Sequence, residues 1–231
     1  MVKHLIIVIY KALKNNFYDK TKFFNMPNWC SNSIVIKGDK HKIKKIKRVL
    51  ESMNNRDDNM GVFQVLTGRD ERLSETQYHD QGAWYYSNID RWGCKWDINY
   101  EDSNINTESD DCITMLPKTA WSPPEGFCRL LSQQYGVDVQ LKYSQPGCDF
   151  AGRFSILANG EEEGERYEYL EGLYKINIES FWMEIRNNLR YDFTEAESKV
   201  VEEWLLKFPY VDEQYKLALI ELYEEVKKEN Q

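Results

Sequence analysis

Residues 26–38 read MPNWCSNSIVIKG, and this stretch decides the predicted fold. Its opening Met-Pro-Asn is typical of a turn, and the alternation of polar and apolar residues over Ser33–Lys37 predicts a first β-strand. Gly38 ends that strand, and Asp39 is suited to cap a following helix. The stretch therefore predicts a turn, a strand and the start of a helix in immediate succession.

Two later stretches also place tryptophan beside small or turn-forming residues. Residues 91–97 read RWGCKWD, and residues 119–124 read TAWSPP. The chain has seven tryptophans, and five of them fall between positions 29 and 121, namely Trp29, Trp84, Trp92, Trp96 and Trp121. Indole rings commonly form the walls of pockets for flat or cationic ligands, and they also commonly fill a core.

Taken in order, the three stretches resemble the YubB-type ferredoxin-like proteins carried by phages and plasmids. The opening motif of that family stands here as Met26–Gly38, and its WGTKWD motif stands as Trp92–Asp97, with Cys94 in place of the usual threonine. Its TAWSPP run stands as Thr119–Pro124. The resemblance covers residues 26–165 and implies an antiparallel ferredoxin-like sheet with helices on one face. It implies no shared activity.

Hydrophobic periodicity predicts an α+β fold as well. Ile43, Ile46 and Leu50 fall on one face of a helix predicted over Asp39–Met53. Pro123 and Pro124 start a second helix, predicted over Glu125–Tyr135. Short aromatic or β-branched runs predict further strands at Val62–Leu66, Trp84–Tyr86, Cys94–Tyr100, Cys112–Leu116, Val137–Tyr143 and Phe150–Leu157. This order of elements fits a ferredoxin-like sandwich.

The chain is predicted to have three parts. Residues 1–25 precede the family-like motif, so we interpret them as an upstream extension or as the product of a start codon chosen too early. Residues 26–165 form the ferredoxin-like domain. Residues 166–231 form a helical C-terminal segment, with helices predicted at Glu179–Arg190, Thr194–Phe208 and Val211–Asn230. These helices either cover the open face of the sheet or form a dimer surface.

Composition excludes several classes of function. The net charge of −8 disfavours duplex DNA, whose binding depends on neutralising phosphates. The five cysteines are scattered and never in C-x-x-C, which favours reduced thiols in the cytoplasm of a bacterial host and no metal site. The apolar run Leu5–Tyr10 is too short to span a membrane. No phosphate-binding glycine loop and no iron–sulfur spacing occurs, so no cofactor is expected.

The tryptophans carry the site hypothesis. We expect Trp29, Trp92, Trp96 and Trp121 to form the walls of a pocket, with Arg91, Lys95 and Arg153 as contacts for an anion. Stacking of a base on an aromatic ring contributes about 1–3 kcal/mol, so such a pocket suits a nucleotide. The competing interpretation is a solid tryptophan core that binds nothing.

The sequence thus favours a non-enzymatic phage or plasmid accessory protein that binds a small ligand, with a nucleotide-type host defence signal preferred. One alternative is a protein–protein interaction module that contacts a host factor through the acidic tail helices. Another is a carboxylate-dependent hydrolase that uses Asp97 or Asp149. We assign no catalytic residue from the sequence.

Overall fold

The computed structural model describes most of the chain between residues 28 and 229. The described residues are 28–53, 60–74, 76–77, 82–192, 203, 208 and 210–229. The predicted extension 1–25 and nearly all of the predicted helix Thr194–Phe208 lie outside them. The chain divides into two compact units, of which the first is Pro27–Tyr169 and the second contains Leu170–Gln231.

A six-stranded antiparallel sheet forms the centre of the first unit. Its strands are β1 (Trp29–Lys37), β2 (Cys112–Met115), β3 (Lys118–Ala120), β4 (Asp138–Gln145), β5 (Phe150–Ile156) and β6 (Glu162–Tyr167). Their order is β2-β1-β4-β5-β6, and β3 also pairs with β1. Ile34 of β1 lies opposite Met115 of β2 and Leu141 of β4. The expected antiparallel sheet of an α+β fold is confirmed.

Helices cover one face of this sheet. They are α1 (Lys40–Met53), α2 (Val62–Thr67), α3 (Ala83–Trp92) and α4 (Glu125–Tyr135). The predicted cap of α1 is confirmed, because Oδ1 of Asp39 accepts the N–H groups of His41 and Lys42 at 3.1 and 3.0 Å. Alternate residues of β1 enter one core with the apolar side of α1, whereas Trp29, Ser31 and Lys37 are exposed.

Three of the predicted strands are wrong. Val62–Leu66 lies in the helix α2, Trp84–Tyr86 lies in α3, and Cys94–Tyr100 forms no strand. A short apolar run without clear periodicity does not distinguish strand from helix, and long-range contacts decide the outcome. Two strands escaped prediction: β3 is very short, and β6 is dominated by charged residues that do not alternate with apolar ones.

The described part of the second unit is helical. It contains α5 (Tyr169–Ile176), α6 (Ile178–Asp192) and α7 (Glu213–Glu229), so two of the predicted tail helices are present with shifted ends. The Tyr174 ring packs against Phe181 and Tyr215, with centroids 5.3 and 6.0 Å away. None of the described helices has the length and apolar character that a membrane span needs.

Asn32 ties β1 to the connection between β2 and β3. Its side chain is almost completely buried, and its Nδ2 donates to the carbonyl oxygens of Cys30 and Pro117 at 2.9 and 3.1 Å. Nδ2 also lies 2.9 Å from Oγ1 of Thr119. A buried amide that bonds within β1 and to the segment around β3 helps to fix the register of these segments, because buried polar groups are rarely left without a partner.

We predict that Asn32→Ala lowers the free energy of unfolding by about 1–3 kcal/mol, the usual effect of leaving buried polar groups unpaired. Urea denaturation followed by circular dichroism measures the change. Ser31→Ala is the matched control, since Ser31 is the exposed neighbour on the same strand. Equal stability of the two variants would contradict the role given to Asn32.

Candidate functional site

The three tryptophan-containing stretches meet in space. The backbone N–H of Trp121 donates to the carbonyl of Asn28 at 2.8 Å. Oγ of Ser122 donates to the carbonyl of Gly93 at 2.5 Å. These bonds join TAWSPP both to the start of β1 and to RWGCKWD. The three stretches therefore lie side by side in the first unit.

Asp97 holds the N-terminal end of α2. Its Oδ1 accepts the N–H of Phe63 at 2.7 Å, and its Oδ2 accepts the N–H of Gln64 at 2.9 Å. Oδ1 also accepts the N–H of Ile98 at 2.7 Å. The residue before α2 is Gly61, which has no side chain with which to cap the helix. A carboxylate from far along the chain supplies the cap and complements the helix dipole.

The same stretch holds the opposite end of α2. Nη2 of Arg91 donates to the carbonyls of Thr67 and Gly68 at 3.0 and 3.3 Å. Nε1 of Trp92 donates to Oγ1 of Thr67 at 3.2 Å. A cation at the C-terminal end of a helix is favourable for the same electrostatic reason. We call the contacts of Arg91, Trp92 and Asp97 with α2 the α2 clamp.

Burial alters the acidity of the clamp carboxylate. It raises the pKa of Asp97 to about 6, although the N–H groups of Gln64, Phe63 and Ile98 act in the opposite direction. Gly61 allows this close approach, because a Cβ there would overlap the Asp97 carboxylate. Both carboxylate oxygens are engaged with backbone amides, so Asp97 is placed to stabilise the fold.

Beside the clamp lies an open cavity of about 420 Å³. Its lining consists of Trp29, Trp96, Asp97, Ile98, Asn99, Asp102, Ser103, Asn104, Leu116 and Lys118. The centroids of the Trp29 and Trp96 rings are 6.2 Å apart, and the ring planes are inclined by 48°. The two residues are 45% and 37% exposed, so both indoles present surface to a ligand. We call this space the Trp29–Trp96 cavity.

Polar side chains surround the indoles. Asn99 donates from Nδ2 to Oδ2 of Asp102 at 3.3 Å. Lys118 forms no side-chain hydrogen bond or ion pair within the described part of the chain. The cavity thus offers stacking surfaces, amides that both donate and accept, one exposed carboxylate and one ammonium group. Such a set recognises the face and the edge of a flat ring.

Only two of the seven predicted site residues line this cavity, and they are Trp29 and Trp96. The prediction that Trp92 forms a wall of the pocket is wrong. Its side chain belongs to the core, since it is 1% exposed and packs edge-on against Phe63. Trp121 is 48% exposed but is not part of the lining.

None of the three predicted anion contacts is part of the lining, although Lys95 lies against Trp96. Arg91 is bound to the end of α2, and Lys95 has its Nζ 4.5 Å from the centre of the Trp96 ring. Nε of Arg153 lies 2.6 Å from the Glu165 carboxylate. Sequence reasoning missed the polar rim formed by Asn99, Asp102, Asn104 and Lys118. Of these residues, only Lys118 could have been proposed from the sequence, because it directly precedes the TAWSPP stretch.

The remaining candidate residues, three buried cysteines and Asp149, lie in the core or in a turn and outside the cavity. Cys30, Cys94 and Cys128 are buried in the core, and burial raises the pKa of each thiol, that of Cys30 to about 12. The residues that the structure describes contain no group of side chains suited to hold a metal ion. Asp149 adopts a left-handed backbone conformation in a turn and accepts the N–H of Tyr169 at 3.4 Å.

Comparison with known proteins bears on the fold. Residues 95–181 match a protein family described as a ferredoxin-like domain in Api92-like protein. The matched segment contains Trp96, the polar rim of the cavity and strands β2–β6, so the chain contains a ferredoxin-like domain. Comparison with curated proteins gave no significant match. Comparison with solved structures gave none either.

We predict that Asp97→Asn lowers the free energy of unfolding by about 1–3 kcal/mol at neutral pH. The amide NH₂ group cannot accept a hydrogen bond, so at least one N–H at the start of α2 loses its partner. Urea denaturation measures the change, and Asp149→Asn is the matched control because its carboxylate is exposed. Equal losses in the two variants would contradict the proposed cap.

A comparison of wild type with Asp97→Asn at different pH values tests the pKa of Asp97. Its pKa in the folded state, about 6, is above the ordinary value of 3.8. Between these pH values the folded protein keeps a proton on Asp97 that the unfolded chain releases. Protonation of Asp97 therefore stabilises the fold fully below about pH 4, and this contribution is lost as pH rises through about 6. The stability difference between wild type and Asp97→Asn should therefore narrow over this interval. A difference that widens would contradict the raised pKa.

A further prediction concerns the space at Gly61. Gly61→Ala should destabilise the protein by about 1–3 kcal/mol, because the added methyl group displaces the Asp97 carboxylate from α2. Gly164→Ala is the control, since a Cβ there makes only an ordinary contact with Phe154. In an Asp97→Ala background the cost of Gly61→Ala should fall markedly, which a double-mutant cycle measures. Additive effects would show that the two residues act independently.

Proposed function

We propose that the protein binds a small ligand with a flat ring in the Trp29–Trp96 cavity and does not transform it. The observation that carries this proposal is the pair of half-exposed indoles at the edge of a cavity of about 420 Å³. Ligand pockets commonly have volumes of about 300–1,000 Å³ and combine aromatic surface with a few polar groups. A solid core of tryptophan would leave neither ring accessible.

A nucleotide-type molecule is the preferred ligand. Its base would stack on Trp96 or Trp29, and each such contact is worth about 1–3 kcal/mol. The amides of Asn99 and Asn104 suit the donor and acceptor edge of a base. Lys118 is the cation in the lining, and Asp102 is exposed nearby. One ammonium group beside one exposed carboxylate favours a nucleoside or a monophosphate over a triphosphate, because further phosphates would meet no second positive charge in the lining.

A binding role without catalysis fits the two carboxylates on which the hydrolase alternative rests. Asp97 uses both oxygens to cap α2. Asp149 occupies a turn and does not line the cavity. Neither is placed as a general base, so the hydrolase alternative has the weaker geometric support.

The biological setting of the proposal rests on the resemblance to YubB-type proteins of phages and plasmids. An accessory protein of a mobile element would act in the cytoplasm of its bacterial host. A cavity that holds a nucleotide-type molecule would let it sequester a signal of host defence. The family match of residues 95–181 supports the fold of such a protein and carries no statement of ligand.

The proposal predicts saturable binding in a panel of nucleosides, monophosphates and triphosphates of the common bases. Intrinsic tryptophan fluorescence and isothermal titration calorimetry are the measurements. Trp96→Ala should weaken binding about tenfold or more, because it removes one stacking surface. Trp121→Ala is the matched control, since that exposed tryptophan lies outside the lining. A flat response across the whole panel would remove the nucleotide from consideration.

Lys118→Gln separates recognition of the phosphate from recognition of the base. The variant should bind a monophosphate a few-fold more weakly, because an exposed ion pair is worth about 1 kcal/mol or less. Its affinity for the nucleoside should be unchanged. Tighter binding of the triphosphate than of the monophosphate would contradict the charge argument.

A further inference from the structure

The first unit has a second concavity at the opposite edge of its sheet. Helix α4 packs on β4 and β5, while the sheet continues for one strand beyond, to β6. The step between helix and edge strand leaves a groove of about 350 Å³. It is lined by Glu125, Arg129, Tyr143, Phe154 and residues 162–166, and it shares no residue with the Trp29–Trp96 cavity. We call it the α4–β6 groove.

The floor of the groove is formed by two buried aromatic side chains. Tyr143 and Phe154 are each 4% exposed, and both belong to the hydrophobic core. Gly164 of β6 lies opposite Phe154 in the register, and the missing side chain leaves that part of the groove open. The Arg129 guanidinium lies 4.5 Å from the centre of the Phe154 ring, so a ligand in the groove would meet mainly charged groups above a buried aromatic floor.

One of the two arginines in the groove is already neutralised. Nε of Arg129 lies 2.7 Å from Oε2 of Glu162, and its Nη2 lies 3.7 Å from the carboxylate of Glu125. Glu125 also faces the hydroxyl of Tyr143, whose pKa burial raises to about 12 with Glu125 adding to the effect. This side of the groove thus presents carboxylates held in place by an arginine and a phenol.

The second arginine has no such partner. The guanidinium of Arg166 lies 3.7 Å from the centre of the Phe150 ring. Across the part of the chain that the structure describes, its side chain forms no ion pair and no hydrogen bond. A guanidinium stacked on a ring keeps its N–H edge free, and that edge matches a carboxylate with two parallel hydrogen bonds.

We propose that the α4–β6 groove binds a small zwitterion of the α-amino acid type, with its carboxylate on Arg166 and its ammonium group on the Glu125–Glu162 side. The charges decide between ligand classes. An inorganic phosphate dianion would meet two carboxylates beside one available guanidinium, whereas a simple amine would leave Arg166 unpaired. A zwitterion satisfies both sides. Glu163 and Glu165 also belong to the lining, and Glu165 is paired with Arg153.

Isothermal titration calorimetry of the full chain tests this assignment with four probes: L-alanine, propionate, ethylamine and inorganic phosphate. L-alanine should bind, propionate and ethylamine should each bind about tenfold or more weakly because each lacks one charged group, and phosphate should not compete. Arg166→Gln should lower the affinity for L-alanine about tenfold or more. Gly164→Leu should abolish binding, because it fills the groove without altering a charge.

The matched control is Arg153→Gln, which removes an arginine from the neighbouring strand on the opposite face of the sheet and should leave the affinity for L-alanine unchanged. Absence of heat with L-alanine up to about 10 mM, a weak affinity by any measure, would overturn the proposal. Propionate or phosphate binding as tightly as L-alanine would overturn the assignment of a zwitterion. Trp96→Ala should leave this binding intact, so the result is independent of the Trp29–Trp96 cavity.

Discussion

The α2 clamp is the constraint on which much of the first unit depends. A helix as short as α2 is not stable alone, because few internal hydrogen bonds offset the cost of starting it. Gly61 offers no cap, so Asp97 and Arg91 supply opposite charges at its two ends from one distant stretch. Once held, α2 presents Phe63 to the core, where its ring stacks on Phe127 with centroids 4.1 Å apart. The clamp thereby joins α2 to α4 and the sheet beneath.

The position of the Trp29–Trp96 cavity follows from the clamp. Cys94 is buried and donates from Sγ to the carbonyl of Trp96, and Asp97 is anchored on α2. The backbone at Trp96 is therefore fixed on both sides, and its indole points outward against Trp29. A ring that is already held in place loses little conformational freedom when a ligand stacks on it. The same short stretch thus serves the core with Trp92 and the surface with Trp96.

Periodicity in the sequence was enough to predict α1, α4 and the long central strands, because each has a buried face with a regular spacing. It failed for α2 and for the segment after Gly93, where the deciding contacts are hydrogen bonds between residues far apart in the chain. It also failed for β6, an edge strand held mainly by its backbone pairing with β5. Sequence proximity to tryptophan suggested Arg91 as an anion contact, yet its charge is used at the end of α2. The polar rim was missed because Asn99 lies within the strand wrongly predicted over Cys94–Tyr100, and Asn104 lies in the polar connection that follows it.

The Trp29–Trp96 cavity and the α4–β6 groove differ in how their charges are arranged, and this difference predicts different ligand chemistry. In the Trp29–Trp96 cavity both indoles are partly exposed, with Lys95 against Trp96 and Lys118 in the lining, so the proposed binding there would depend on stacking, and Lys118 would affect the choice of ligand. In the α4–β6 groove the Arg129 guanidinium lies over the Phe154 ring and Arg166 stacks on Phe150, so the proposed binding there would depend on pairing of charges. Stacking on neutral rings changes little with salt, whereas exposed ion pairs are screened over about 10 Å at moderate ionic strength. Salt dependence would therefore distinguish binding at the two proposed sites.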